Sequence, residues 1–145
     1  MKNISQIRIS KKIFLFIFVL LLVINFETIS TKASEPVKNV LIINSYYNGY
    51  DWTDGQCQGI LNTLNNDNDL IKYVEYMDWK RDTTNGNLNN FYNYCKYKYS
   101  EKKIDLIITT DDAALSFATK HRMDLFSNAP IVFSGVDKNS ANTIL

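Results

Sequence analysis

The chain has 145 residues, a formal net charge of +1 and 46% hydrophobic residues, 13% of the whole being aromatic. That is the length of one ordinary domain, with enough apolar material for a core. The balanced charge excludes a strongly basic nucleic-acid binder, and the apolar content excludes a disordered tail.

The first segment sets the compartment. Lys2, Arg8, Lys11 and Lys12 precede an apolar run, Ile13–Phe26 (IFLFIFVLLLVINF), broken only by Asn25. The run suits a signal-peptide core and is short for a membrane-spanning helix. Thr31-Lys32-Ala33 places small residues where a signal peptidase reads, so residues 1–33 are expected to be either a cleaved signal peptide or an N-terminal membrane anchor. Either way the remainder is expected to be exported, with the basic end cytoplasmic. A lipid anchor needs a cysteine just after the apolar core, and the first cysteine is Cys57. Without residues 1–33 the net charge falls to −3, which disfavours nucleic acid further.

Residues 34–145 read as alternating strands and helices. Val37–Ser45 is a buried strand, and Trp52–Asn66 a helix with Cys57, Ile60, Leu61 and Leu64 on one face. Leu70–Met77 is a strand marked by Lys72 and Glu75, as on an exposed edge. Asn87–Tyr99 is a helix with Leu88, Phe91, Tyr92 and Cys95 at the same spacing. Ile104–Thr110 is a central strand, Asp112–Arg122 a helix, and Pro130–Ser134 another uninterrupted apolar strand. Asp137–Leu145 opens a last helix. The Asn-rich patches, Asn62–Asn68 and Asn85–Asn93, read as surface and loops.

This alternation predicts an α/β fold: a three-layer, Rossmann-like parallel sheet with strand order beginning 2-1-3. Right-handed crossovers, the rule in about 98% of cases, put the first two helices on opposite faces of the sheet. Cys57 and Cys95 are then kept apart, as two small core residues without a disulfide.

In such sheets ligands bind beyond the carboxyl ends of the strands. The loop after the first strand, NSYYNGYDWTDGQ, is therefore placed at a mouth. Thr53 and Gln56 fit a capping box, with Trp52 and Cys57 as its staple. Tyr46, Tyr47 and Tyr50 are left as flat surfaces and hydroxyls for a small organic ligand. After the third strand, one of Asp111 and Asp112 caps a helix and the other is free to accept from a ligand amine or hydroxyl. After the fourth, Gly135 allows close backbone approach. Met77–Arg81 is placed further out, bracing the loop or touching ligand.

Enzymatic and cofactor patterns are missing from the sequence. There is no G-x-G-x-x-G, no G-K-[ST], no G-x-S-x-G and no Cys/His cluster. The single histidine, His121, falls near a helix end, where it meets the helix dipole. No cofactor, metal or catalytic residue is expected. An exported enzyme on a related fold would need a reactive group from elsewhere.

Four stretches in order, VLIINSYYNGYDWTDGQCQGI, EYMDWKRDT, IDLIITTDDAALSFATKH and PIVFSGVD, resemble the ABC transporter substrate-binding-protein-like family, over nearly all of residues 38–137. The resemblance implies a type I periplasmic-binding-protein fold, with two lobes closing on a small solute such as an amino acid. It implies that Ser45, Tyr46, the Trp52 region, Asp111 and Gly135 line the first lobe's half of the cleft. It implies two settings: the extracytoplasmic sensor of a signalling protein such as a histidine kinase or diguanylate cyclase, or the binding component of a transporter. The absence of a lipid-anchor cysteine favours the sensor. The expected partners are accordingly a small solute, the membrane through residues 1–33, and a fused signalling domain or a transporter permease. Residues 34–145 are expected to form an incomplete first lobe, marginally folded by itself.

Overall fold

The structure, a computed structural model, describes residues 37–144 except 66 and 68, together with residue 11. The expected signal segment or anchor, Ile13–Phe26 with its cleavage position at Ala33, lies outside the described residues. Among the described residues no helix is long and apolar enough to cross a membrane.

Eight elements alternate along the chain: β1 (Lys38–Asn44), α1 (Asp51–Leu64), β2 (Leu70–Tyr76), α2 (Asn85–Tyr99), β3 (Leu106–Thr110), α3 (Asp111–Leu125), β4 (Ile131–Ser134) and α4 (Lys138–Ile144). The strands form one parallel sheet in the order β2-β1-β3-β4. Register is set at the centre, where Ile42 pairs with Val74 on one side and Ile108 on the other. The expected α/β fold and the 2-1-3 order are both present.

Successive residues of β1 point to opposite faces of the sheet. Leu41 and Ile43 pack with Ile107 under α2 and α3, in a core that includes Cys95, Tyr99, Phe117 and Phe126. Val40 and Ile42 pack with Ile108 under α1, against Ile60, Leu61 and Leu64. A strand buried on both faces must be a continuous apolar run, which is why VLII reads as it does. The two cysteines are buried and unbonded, Cys57 on α1 and Cys95 in the core beneath α2 and α3. Burial pushes the Cys95 thiol up to about 12, with the nearby Glu75 carboxylate adding to it.

Two strand expectations need correction. β2 is an edge strand, but Glu75 is buried rather than exposed. Its Oε1 accepts hydrogen bonds from Lys98 Nζ, at 2.6 Å, and from the Tyr99 hydroxyl. Two residues of α2 thus reach across the edge and neutralise it, and burial followed by the Glu75 hydrogen bond raises the Tyr99 pKa. β4, though uninterrupted and apolar, is largely open: Val132 is 56% exposed and Phe133 37%. It is the other edge, and no described helix covers Val132.

Candidate functional site

The carboxyl ends of β1, β3 and β4 converge on a hydrogen-bonded latch around Asp111. This residue follows β3 directly and has φ of +64°. Aspartate reaches the left-handed region more readily than most side chains, though at some cost. The turn aims its carboxylate sideways, at α1. Trp52 Nε1 donates to Oδ1 at 3.0 Å, and Gln56 Nε2 donates to Oδ2 at 3.2 Å. Ser134 Oγ, at the end of β4, donates to Gln56 Oε1 at 2.7 Å. Three connections are thereby tied at one carboxylate. Burial raises the Asp111 pKa, and the two hydrogen bonds oppose that shift.

Gly135 closes the latch. Its φ is +72°, and a Cβ there would stand 2.6 Å from Asp111 Oδ1 and 2.9 Å from Gln56 Oε1. The close backbone approach expected of Gly135 is real, but its neighbour is Asp111.

This geometry overturns the capping assignments. α1 begins at Asp51, with Tyr50 in the cap position and no side-chain cap bond. Asp54 N already bonds to Tyr50 O at 2.9 Å, so Thr53 lies inside the first turn, buried, rather than ahead of it. Gln56 does not reach back to Thr53, because Asp111 and Ser134 hold its amide. Trp52 is no staple: its ring is 53% exposed and its N–H serves Asp111. Asp111 does not cap α3, and Asp112 makes no cap bond either.

Ser45 performs the capping instead, from another strand. Its hydroxyl donates to Thr110 O at 2.6 Å and accepts from Ala114 N at 2.8 Å. It is fully buried, so both of its functions are engaged within the fold. An orphan amide in the first turn of α3 is thus satisfied by the end of β1.

The tyrosines form the outer wall. Tyr46 and Tyr47 both pack on Tyr50, with ring centroids 5.7 and 5.5 Å away. Lys80 Nζ lies 4.1 Å from the Tyr50 ring centroid and donates to its hydroxyl at 2.7 Å. The Arg81 guanidinium lies 3.6 Å from the Tyr47 centroid and pairs with Asp78 at 2.9 Å. The Asp78–Arg81 loop is held in place by Trp79 N, which bonds to Ser45 O at 2.9 Å. Both cations are exposed, so each stacks on a ring while keeping water on its other side. Burial and the nearby Asp111 raise the Tyr46 pKa, which keeps its hydroxyl a donor.

Of the sequence-predicted residues, the structure brings Tyr46, Tyr47, Trp52, Asp111 and Gly135 to one mouth. Asp112 stands exposed beside it, and Ser45 lies beneath it. Sequence reasoning missed Gln56 as the link to Asp111, and left open whether Lys80 and Arg81 brace the loop. The available signal for the two cations was their position beyond a strand neighbouring β1. Among the described residues no group of three His, Cys, Asp or Glu could hold a metal ion.

His121 falls near a helix end, as the sequence placed it. It lies one turn before the end of α3, packed between Tyr92 and Phe117 at centroid distances of 4.8 and 4.9 Å. Its Nδ1 stands 3.6 Å from Asp124 Oδ2.

No protein-family model matches the chain, and no curated protein or solved structure matches it.

Proposed function

We propose that residues 34–145 form a lobe of an extracytoplasmic domain that binds a small organic solute, an amino acid or a related molecule, and that the domain serves as the sensor of a membrane-tethered signalling protein. The observation that carries the reading is the mouth itself. Tyrosines packed edge-on and tilted against one another, with two exposed cations, lie at the carboxyl ends of the central strands, and Asp112 stands free beside them. A carboxylate on the solute meets Lys80 or Arg81, an ammonium meets Asp112, and its apolar part lies on the rings. The latch around Asp111 holds Trp52, Gln56 and Ser134 together beneath the mouth and so supports it. The basic, then apolar, first segment supports export.

The test is a titration of the twenty amino acids into the full chain in lipid nanodiscs, followed by amide shifts. A mouth that covers one side of a solute binds on the order of millimolar. The expected result is saturable shifts across Tyr46–Trp52 for a subset, abolished by Tyr47→Ala and by Asp112→Asn. No saturable shift at the mouth for any of them would sink the solute reading. Mass measurement of the chain from membrane and extracytoplasmic fractions tests export, and shows whether cleavage follows Ala33.

A further inference from the structure

A recess lies between α2 and α3, bordered by Asp112 next to the latch. It is a groove of about 720 Å3, a volume typical of small-ligand sites. Its cause is local. α3 presents the small residues Ala113 and Ser116 where Phe117, one position on, is large, and α2 answers with Leu88. The helices meet firmly only further along, at Phe91–Phe117 and Tyr92–His121. Above that meeting point the space between them is open, with Ile144 of α4 along one side.

The groove is apolar inside and polar at its two ends. Trp79, Leu88, Phe117 and, from α4, Ile144 supply the apolar surface. Asp112 and Asn85 stand at the end nearest the strands' carboxyl ends, and Lys120 and His121 at the other. The contrast with the latch is in how the polar groups are used. Asp111, Gln56 and Ser45 are bonded within the fold. Among the described residues, the side chains of Asp112, Asn85, Asn89 and Lys120 have no hydrogen-bond or ion partner.

The spacing of the two opposite charges selects a ligand. Asp112 and Lys120 are eight residues apart on one helix, so their backbones are separated by about 12 Å along its axis. An extended tripeptide spans roughly 10 Å at about 3.5 Å per residue, and the flexible lysine covers the difference. We infer that the α2–α3 groove binds a short, extended, apolar peptide with free termini, its ammonium at Asp112 and its carboxylate at Lys120. The asparagines of α2 face its backbone amides and the aromatic surface takes its side chains. Asp112 also borders the tyrosine mouth, so occupation of the groove is read at Leu88, Ser116 and Lys120, and a solute at the mouth at Tyr46–Trp52.

The probe is the tripeptide Leu-Phe-Leu, titrated into the full 145-residue chain in phosphatidylcholine nanodiscs and read by amide shifts. Saturable shifts are expected at Leu88, Ala113, Ser116 and Lys120. N-acetylation and C-amidation each remove one charge-assisted contact and should each weaken binding about tenfold. Lys120→Gln should weaken the free-acid peptide about tenfold and leave the amidated peptide unchanged. Asp112→Asn should likewise weaken the free-amine peptide about tenfold and leave the acetylated peptide unchanged. Both side chains are exposed, so the variants keep the fold, as unchanged shifts elsewhere in the spectrum will show. The proposal is overturned by equal binding of free and end-blocked peptides, by shifts centred on Tyr46–Tyr50 in place of the groove, or by no saturation at millimolar peptide.

Discussion

Asp111 shows how much one side chain can organise. Its backbone is strained and its carboxylate is buried, yet three chain segments depend on it. Asp111→Asn keeps the left-handed backbone accessible and keeps an acceptor for Trp52. The Gln56 amide can turn over to meet the new Nδ2, and the Ser134 hydroxyl can then accept instead of donate. We therefore expect Asp111→Asn to cost less than about 1 kcal/mol. Asp111→Ala keeps the strain and loses both bonds, at about 1–3 kcal/mol by urea denaturation. The pH dependence follows from the raised carboxyl pKa. Folded Asp111 holds its proton more tightly than an unfolded aspartate, whose value is near 3.8. In the window above 3.8 the folded state binds more protons, so this group's contribution to stability falls as pH rises. Comparing acid titrations of stability for the parent chain and Asp111→Asn isolates it: the difference between them should shift in favour of the variant as pH rises through that window. At Gly135 an added methyl meets two oxygens inside contact distance at a positive φ. Gly135→Ala should lower stability by about 1–3 kcal/mol in thermal melts. An unchanged melt would mean that β4 does not approach Asp111 this closely.

At the scale of elements, helix ends and sheet edges are finished by partners distant in sequence. α3 is a good helix on its own terms, with Ala114, Leu115, Phe117 and Ala118 buried, but its first turn carries no local side-chain cap. Ser45, 69 residues before Ala114, closes it. Removing that hydroxyl in Ser45→Ala leaves the Ala114 N–H buried without a partner and should cost about 1–3 kcal/mol. Hydrogen exchange reads the effect directly: the Ala114 amide should exchange faster in the variant, and an unchanged rate would show that another group caps α3. By contrast α2 is capped locally, with Thr84 Oγ1 accepting from Asn87 N at 3.2 Å. The β2 edge is closed by Lys98 and Tyr99 over Glu75, whereas the β4 edge carries no charge of its own and stays open.

For the whole molecule, one parallel sheet separates two cores of unequal size. The larger holds most of the buried aromatics, under α2 and α3, and the smaller is covered by α1 alone. Stability should grade accordingly from the centre of the sheet to β4. In native-state hydrogen exchange, the amides of Ile42 and Ile108 should open only with global unfolding. Those of Val132 and Phe133 should exchange at least about tenfold faster, through local opening. Uniform protection across all four strands would contradict the open β4 edge. The same arrangement puts a tyrosine surface and a groove on one sheet. The tyrosine mouth follows from the loop between β1 and α1, and the groove from small residues on α3 facing α2.

What the sequence determined by itself is the layer order and the location of the mouth. Apolar runs of strand length and apolar stripes of helical spacing are local patterns, and chirality then leaves few ways to connect them. Those constraints were enough for the parallel sheet, its 2-1-3 order and the separation of Cys57 from Cys95. They were also enough to bring Tyr46, Tyr47, Trp52, Asp111 and Gly135 to one end of the sheet. Only the tertiary structure decided what each polar side chain does there. A Thr-x-x-Gln pattern reads as a cap because the pattern is local. A carboxylate 55 residues away competed for that glutamine and won. Ser45, Gln56 and Glu75 all bond to residues far along the chain, and the partner of a hydrogen bond is set by where the fold places it.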